Sequence, residues 1–206
     1  MPIVNGYATR DDLKKQAGLD LDDIEFDDHI DKAVSAASRG IDMYTNRHFY
    51  QVSEPRLFVP DNERLVTFGT FGDLVSVSEL ATDEGGDGTF ETVWAAADYQ
   101  LHPANPSQAP EPRPYRFLTA VGTKTFPVRW TAASSSYRAR ITGTWGWPAV
   151  PAAIVEACLI QAHRLFKRRE SPEGVAGLNM FGTVTMGRLD PDVGRLVKPY
   201  RIRTVG

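Results

Sequence analysis

With 206 residues, of which 42% are hydrophobic and 24% charged, the chain has the makeup of a globular protein. That length allows one sizeable domain, or one domain carrying a large insertion. A net charge of −3 gives no argument for nucleic-acid or membrane binding. The single cysteine, Cys158, excludes an internal disulfide, and no run approaches the ~20 apolar residues that cross a bilayer.

The first residues, Met1, Pro2, Ile3, Val4 and Asn5, show neither the basic nor the apolar region of a secretory signal. With no disulfide to form, a reducing cytoplasm is the expected place of folding. A short helix is predicted over residues 10–17. Thr9 can cap it, Asp11 and Asp12 fall in its first turn, Lys14 and Lys15 in its last, and Gly18 can close it. A longer helix begins near Asp27 or Asp28. Its apolar residues Ile30, Ala33, Val34, Ala37, Ile41 and Tyr44 form one helical stripe, with Arg39, Arg47 and His48 off the stripe or at its end.

From Phe49 to about Gly143 helical periodicity is lost. Short runs rich in β-branched and aromatic residues take its place, at 56–59, 65–68, 74–77, 90–94, 128–130 and 138–142. Turn residues stand between them. Gly85, Gly86, Asp87 and Gly88 read as a hairpin turn. Five prolines in residues 103–114 predict an extended, non-helical loop. A third helix follows Trp145, Gly146, Trp147 and Pro148, with Pro151 suited to its first turn. Ile154, Val155, Cys158, Leu159, Ala162, Leu165 and Phe166 recur at helical spacing, and Lys167, Arg168 and Arg169 suit the negative end of the dipole. Ser171 and Pro172 stop it. The remaining residues are glycine-rich and poor in apolar content, with one strand-like run from Thr183 to Met186, and are expected to depend on a partner surface for order.

The fold class expected is therefore α+β: a small helical bundle of about three main helices, an inserted antiparallel β-rich region and an extended C-terminal tail. The divisions fall at residues 1–49 for the N-terminal helical part, 50–144 for the insertion, 145–170 for the last helix and 171–206 for the tail.

No constellation nominates catalysis. His29, His48, His102 and His163 stand at no metal-ligand spacing with one another or with Cys158, and there is no Cys-x-x-Cys. Cys158 reads as a small buried hydrophobe. The glycines at 85–88 lack the Lys-Ser/Thr of a phosphate loop and no helix follows them. Ser134, Ser135 and Ser136 have no nucleophile-elbow glycines. Asp20, Asp22 and Asp23 lack the glycine and distal glutamate of a calcium loop. Lys167, Arg168 and Arg169 have no interleaved aromatics to read nucleic acid. No catalytic residue, metal or cofactor is expected, and the chain is not read as an enzyme.

Charge is unevenly placed. Residues 10–31 hold nine acids against three bases, and residues 164–206 nine bases against four acids. Two solvated termini of opposite sign would look like this, and so would identical subunits packed head to tail. Asp22, Asp23, Asp27, Arg39, Arg47, Arg168 and Arg169 are the candidates for inter-subunit or channel contacts.

Several runs together resemble the head–tail connector (adaptor) proteins of tailed bacteriophages. They are Tyr7, Ala8 and Thr9 with Asp12 and Leu13, then Ala33 to Ile41 followed by Asp42, Tyr44, Thr45, Arg47, Phe49 and Tyr50. Val150, Pro151, Ala152, Ala153, Ile154 and Ala157 lead into the last helix. Arg168 to Val175 follows it, and Leu196, Val197, Pro199, Tyr200 and Arg201 stand near the end. The resemblance implies a virion neck protein. Its subunits would form a twelve-fold ring beneath the portal, extend the DNA channel without sequence-specific binding, and meet a stopper or tail protein below. It also implies a C-terminal tail that docks on the portal, through Val184, Met186, Leu196, Tyr200, Arg201 and Arg203. The inserted β region is a departure from compact members of that family. A stopper or tail-completion protein is the nearest alternative, and a small-ligand-binding β-domain a more distant one. The two amphipathic helices argue against the former, and no converging polar residues support the latter.

Overall fold

The computed structural model describes residues 2–128, 137–168 and 190–202. The chain divides into two compact units, one built from Met1–Asn46 and Val150–Gly206, the other from Arg47–Ala149.

The first unit is helical. Helix α1 (Arg10–Ala17) starts with Thr9 as its cap. The Asp12 amide donates to Thr9 Oγ1 at 3.1 Å, and the Thr9 amide donates to the Asp12 carboxylate at 3.2 Å, so two orphan donors are satisfied reciprocally. The Thr9 hydroxyl, which also donates to the Asp12 carboxylate at 2.5 Å, and then the Thr9 amide hold that carboxyl below its ordinary pKa. Gly18 closes the helix at φ 70°. Helix α2 (Asp27–Thr45) and helix α3 (Ala152–Lys167) meet along their stripes. Ile30, Val34, Ala37 and Ile41 of α2 and Ile154, Ala157, Cys158 and Ala162 of α3 are buried. Ser38 Oγ and Cys158 Sγ stand 3.3 Å apart near the middle, while Phe26 packs edge-on to Phe166 at the N-terminal end of α2 and the C-terminal end of α3. The two helices therefore run antiparallel.

A fourth helix, α4 (Pro191–Val197), lies in the segment expected to be extended. Over residues 190–202 the tail is helical instead. Asp190 caps α4 by accepting from the Asp192 amide at 2.8 Å, and Pro191 pre-sets its first turn. Val193 and Val197, four residues apart, are fully buried where α4 packs on α3 and α2. Arg164 pairs with Asp190 at 3.2 Å. A 3-10 turn, Lys198–Tyr200, follows. The Ile202 amide then donates to Thr45 O at 2.9 Å, and Asn46 Nδ2 donates to Ile202 O at 3.1 Å. The first of these bonds uses a carbonyl that the end of α2 leaves without a helical partner. The strand-like run from Thr183 to Met186 lies outside the described residues.

The second unit is an antiparallel β structure. Strands β1 (Val52–Phe58), β7 (Ala139–Trp145), β3 (Leu74–Thr82) and β4 (Thr92–Val93) form one sheet in the order β1-β7-β3-β4. Strands β2 (Leu65–Thr67), β6 (Phe117–Ala120) and β5 (Tyr99–His102) form another in the order β2-β6-β5. Alternation is clean in β7, where Ala139, Ile141 and Trp145 point to the core. Phe68, Leu74, Leu80, Leu118 and Phe126 complete that core. The run at 128–130 gives no strand at Val128, and its other two residues lie outside the described ones. The proline loop is not wholly extended, since Pro106–Gln108 forms a 3-10 turn.

The glycine run at 85–88 lies in the connection of the β3–β4 hairpin, where Ala81 pairs with Val93 and Thr82 with Thr92. Buried Asp83 organises it, accepting from the amides of Gly86 and, at 2.8 Å, Gly88. Gly86 has φ 79°, and a Cβ there would collide with the Arg138 guanidinium. Gly85→Ala meets only ordinary contacts. Gly86→Ala is expected to lower stability by more than about 1 kcal/mol while Gly85→Ala stays near neutral, read as midpoints in denaturant melts.

Candidate interaction surfaces

Lys14 organises the acidic connection between α1 and α2. It is 2% exposed, yet its ammonium is fully engaged. Nζ donates to Leu21 O at 3.0 Å and Asp23 O at 2.6 Å, and meets Asp27 Oδ1 at 2.7 Å. Arg10 adds bonds to Asp31 at 2.8 and 2.9 Å and to Asp27 at 2.5 Å. Asp27, one of the expected contact residues, is thus tied into a network inside its own unit. Asp22 and Asp23 are exposed. The Asp20 carboxylate accepts from the Asp22 amide at 3.1 Å and that of Asp23 from the Glu25 amide at 2.9 Å, which shapes the turn locally. The result is a loop with Asp20, Asp22, Asp23 and Glu25 on its surface and Ile24 at 78% exposure.

Arg39 is held within the same unit. Its Nε pairs with Asp42 at 2.9 Å, Nη2 donates to Asn5 O at 2.7 Å, and the guanidinium lies over the Tyr7 ring. Tyr7 OH in turn donates to Asp42. Of the residues expected to dock on a portal, Leu196 and Tyr200 are half-buried around α4 and the turn that follows it. Arg201 is exposed, with its guanidinium 5.1 Å from the centre of the Tyr44 ring. Val184, Met186, Arg203 and Arg169 lie outside the described residues. Arg168 is exposed at the end of α3 beside exposed Lys167. Between α2 and α3 runs an open groove of about 240 Å³, lined by His29, Lys32, Ala33, Ala36, Leu165 and Phe166. Cys158 is buried and its thiol pKa is pushed up by that burial, as expected of a core residue. Burial, then nearby Lys167, lowers the pKa of half-buried His163.

Arg47 belongs to the β unit. Asp73, 1% exposed, accepts from Arg47 at 2.6 Å, Arg116 at 2.5 Å and Trp147 Nε1 at 3.1 Å. Arg47 also lies over the Trp147 ring. Desolvation lowers the Arg47 pKa despite the Asp73 charge. His48 stacks on Tyr50 and Phe71. Its Nε2 faces Arg56 Nη2 at 3.2 Å and its Nδ1 faces Tyr50 O at 3.1 Å. A guanidinium only donates and a carbonyl only accepts, so this geometry selects the neutral ring with the proton on Nδ1. His102 meets Thr119 Oγ1 at 3.0 Å, and His29 is exposed. Among the described residues no group of three or more His, Cys, Asp or Glu is arranged to hold a metal. Ser134, Ser135 and Ser136 lie outside them.

Sequence reasoning passed over Lys14 and Asp73, since burial of a charge leaves no mark on composition. Leu21 and Ile24 did carry a signal, as apolar residues in an acidic run. Lys14→Met keeps the volume of the stem but leaves two carbonyls and Asp27 without their ammonium. It is expected to cost about 3 kcal/mol in a denaturant melt and to expose residues 19–26 to limited proteolysis first.

No family model matches the chain, and no curated protein does. The fold does recur among solved structures of particle necks. A chain in the neck of an empty gene transfer agent particle, computed with C6 symmetry, aligns over 100% of this chain and 95% of its own at a TM-score of 0.60 and 17% identity. A chain in the neck of the native particle, computed with C12 symmetry, covers 88% and 89% at 0.49 and 18% identity. One in the native virion covers 96% and 89% at 0.48 and 19% identity. The first of these shows that the chain has the fold of a neck component, a helical unit with an inserted antiparallel β unit.

Proposed function

We propose that this chain is a structural subunit of the neck of a tailed-phage-type particle, a head–tail connector of the adaptor kind rather than an enzyme. The observation that carries this reading is the end-to-end fold match with a neck chain. The subunits assemble as a ring of twelve below the portal, and the ring's lumen passes the genome without sequence-specific contacts. Two further features support the reading. The particle neck that contains the matching chain has rotational symmetry. The chain's own charge is divided between an acidic front and a basic rear, which suits heterologous contacts in a closed ring.

The portal contact falls to the far C-terminus. Residues 190–197 are committed to α3 and α2, so α4 acts as an anchor from which Arg201 and the residues after it reach a partner. Arg201 and Arg203 pair there with carboxylates.

The test is co-sedimentation of the purified chain with the portal ring of the same genome, with the pellets imaged by electron microscopy. Full-length protein is expected to add a ring to one face of the portal. A chain ending at Ile202, which keeps α4, is expected to bind at least tenfold more weakly. No binding by either chain would contradict the adaptor role and favour a stopper or tail-completion role. Equal binding by both would remove the portal contact from the last residues.

A further inference from the structure

The helical unit carries an apolar projection and an apolar groove, with opposite charge. The projection is the connection between α1 and α2, where Ile24 is 78% and Leu21 43% exposed among the exposed acids Asp20, Asp22, Asp23 and Glu25. It is not a loose loop, because the buried Lys14 ammonium holds its backbone at Leu21 and Asp23. A pre-ordered loop loses little entropy on binding. Exposed isoleucine is common singly, but one presented on a fixed acidic turn next to a second aliphatic residue is a shaped surface.

The groove between α2 and α3 has an apolar floor of Ala33, Ala36, Leu165 and Phe166, with His29 and Lys32 at its edge and exposed Lys167 and Arg168 just past Phe166. Asp28 offsets part of that charge. Its volume of about 240 Å³ admits an aliphatic side chain with room to spare, since an apolar cavity of about 150 Å³ takes a benzene-sized group.

The placement of the two features decides what they can join. Asp27 and Asp31 face α1, as their bonds to Arg10 and Lys14 show. At 3.6 residues per turn, His29, Lys32 and Ala36 lie roughly 150° round the helix from them. The part of the turn that Lys14 holds thus lies on the α1 side of α2 and the groove on the side away from it, with Phe26 packed on Phe166 between the two. One chain's projection does not fill its own groove, and a two-fold pair does not bring both features together at once. The arrangement suits a head-to-tail contact that repeats around a ring.

We infer that the acidic turn of one subunit, led by Ile24, seats in the α2–α3 groove of the next copy of this chain, with its carboxylates against Lys32, Lys167 and Arg168. The contact rests on the ring reading above and gives it a specific joint.

Paired cysteines test it. Ile24→Cys and Ala36→Cys are both at exposed positions, and the native Cys158 is buried and does not compete. The full-length double variant, oxidised in the presence of the portal ring, is expected to give a disulfide-linked ladder extending past the dimer on non-reducing gels. Each single variant is expected to stop at the dimer. Lys32→Glu with Lys167→Glu is expected to abolish the ladder, and Asp22→Lys with Asp23→Lys added to the same chain to restore it. Circular dichroism checks that each variant is folded. A ladder that fails to form, ends at the dimer, or ignores the charge reversals overturns the joint. If unmodified chains still ring the portal in that case, only the joint falls. If no ring forms either, the ring reading falls with it.

Discussion

The pairing of β1 with β7, in which Val52 lies opposite Trp145, is the constraint on which the rest of the chain depends. Helices α2 and α3 are separated by about a hundred residues, yet they supply most of the helical core. Closing so long a loop by helix contacts alone carries a large entropic cost, which grows slowly with length but is never small. The β1–β7 ladder brings the two ends of the insertion together within its own unit and shortens the effective loop. Trp145 anchors that ladder from the core side. It is fully buried, its Nε1 donates to Glu54 O at 2.9 Å, and Phe58 and Phe68 pack on its ring.

With the ends of the insertion joined, the helical unit reads as a small antiparallel assembly stabilised by alternating kinds of interaction. Apolar stripes join α2 to α3, while charge joins α1 and its following loop to α2 through Lys14, Arg10, Asp27 and Asp31. Neither network is at the surface by accident of composition. The pairs around Lys14 are desolvated enough that removal of one partner strands the others, which makes them determinants of shape more than of net stability. Many of the acids and bases that look available in the sequence are therefore already used, Asp27, Arg39 and Arg47 among them. The exposed turn at 20–25 and the end of α3 are among the charged surfaces left to present.

Much of this was legible beforehand, for physical reasons that differ by element. The bounds of α1 follow from Thr9 and Gly18, because caps act on neighbours a few residues away. The stripes of α2 and α3 follow from periodicity. Strands β1, β2, β3, β4 and β7 were visible as β-branched runs, but β5 and β6 were not. Each of these two flanks the proline loop, whose composition dominates its neighbourhood. Helix α4 was missed because its signal is two valines, a cap and a proline inside a glycine-rich stretch, and its order comes from the surface of α3 and α2. The groove was invisible in principle, since Lys32, Ala36 and Leu165 meet only once the two helices are packed. Its counterpart, Ile24 among aspartates, was plain in the sequence and lacked only a reason to be noticed.

The proposed connector role would place no demand on converging reactive groups and would ask for surfaces that repeat around an axis. Among the described residues the buried ion pairs fix loops, as those around Lys14 do. The central claim is about location, and the most direct measurement is a cryo-electron microscopy map of the intact neck of the particle encoded with this chain. The account predicts a ring of density directly beneath the portal into which this sequence traces, with residues 20–25 of each subunit against its neighbour and the C-terminus turned towards the portal. A neck fully traced by other chains, with no density for this one, would contradict it.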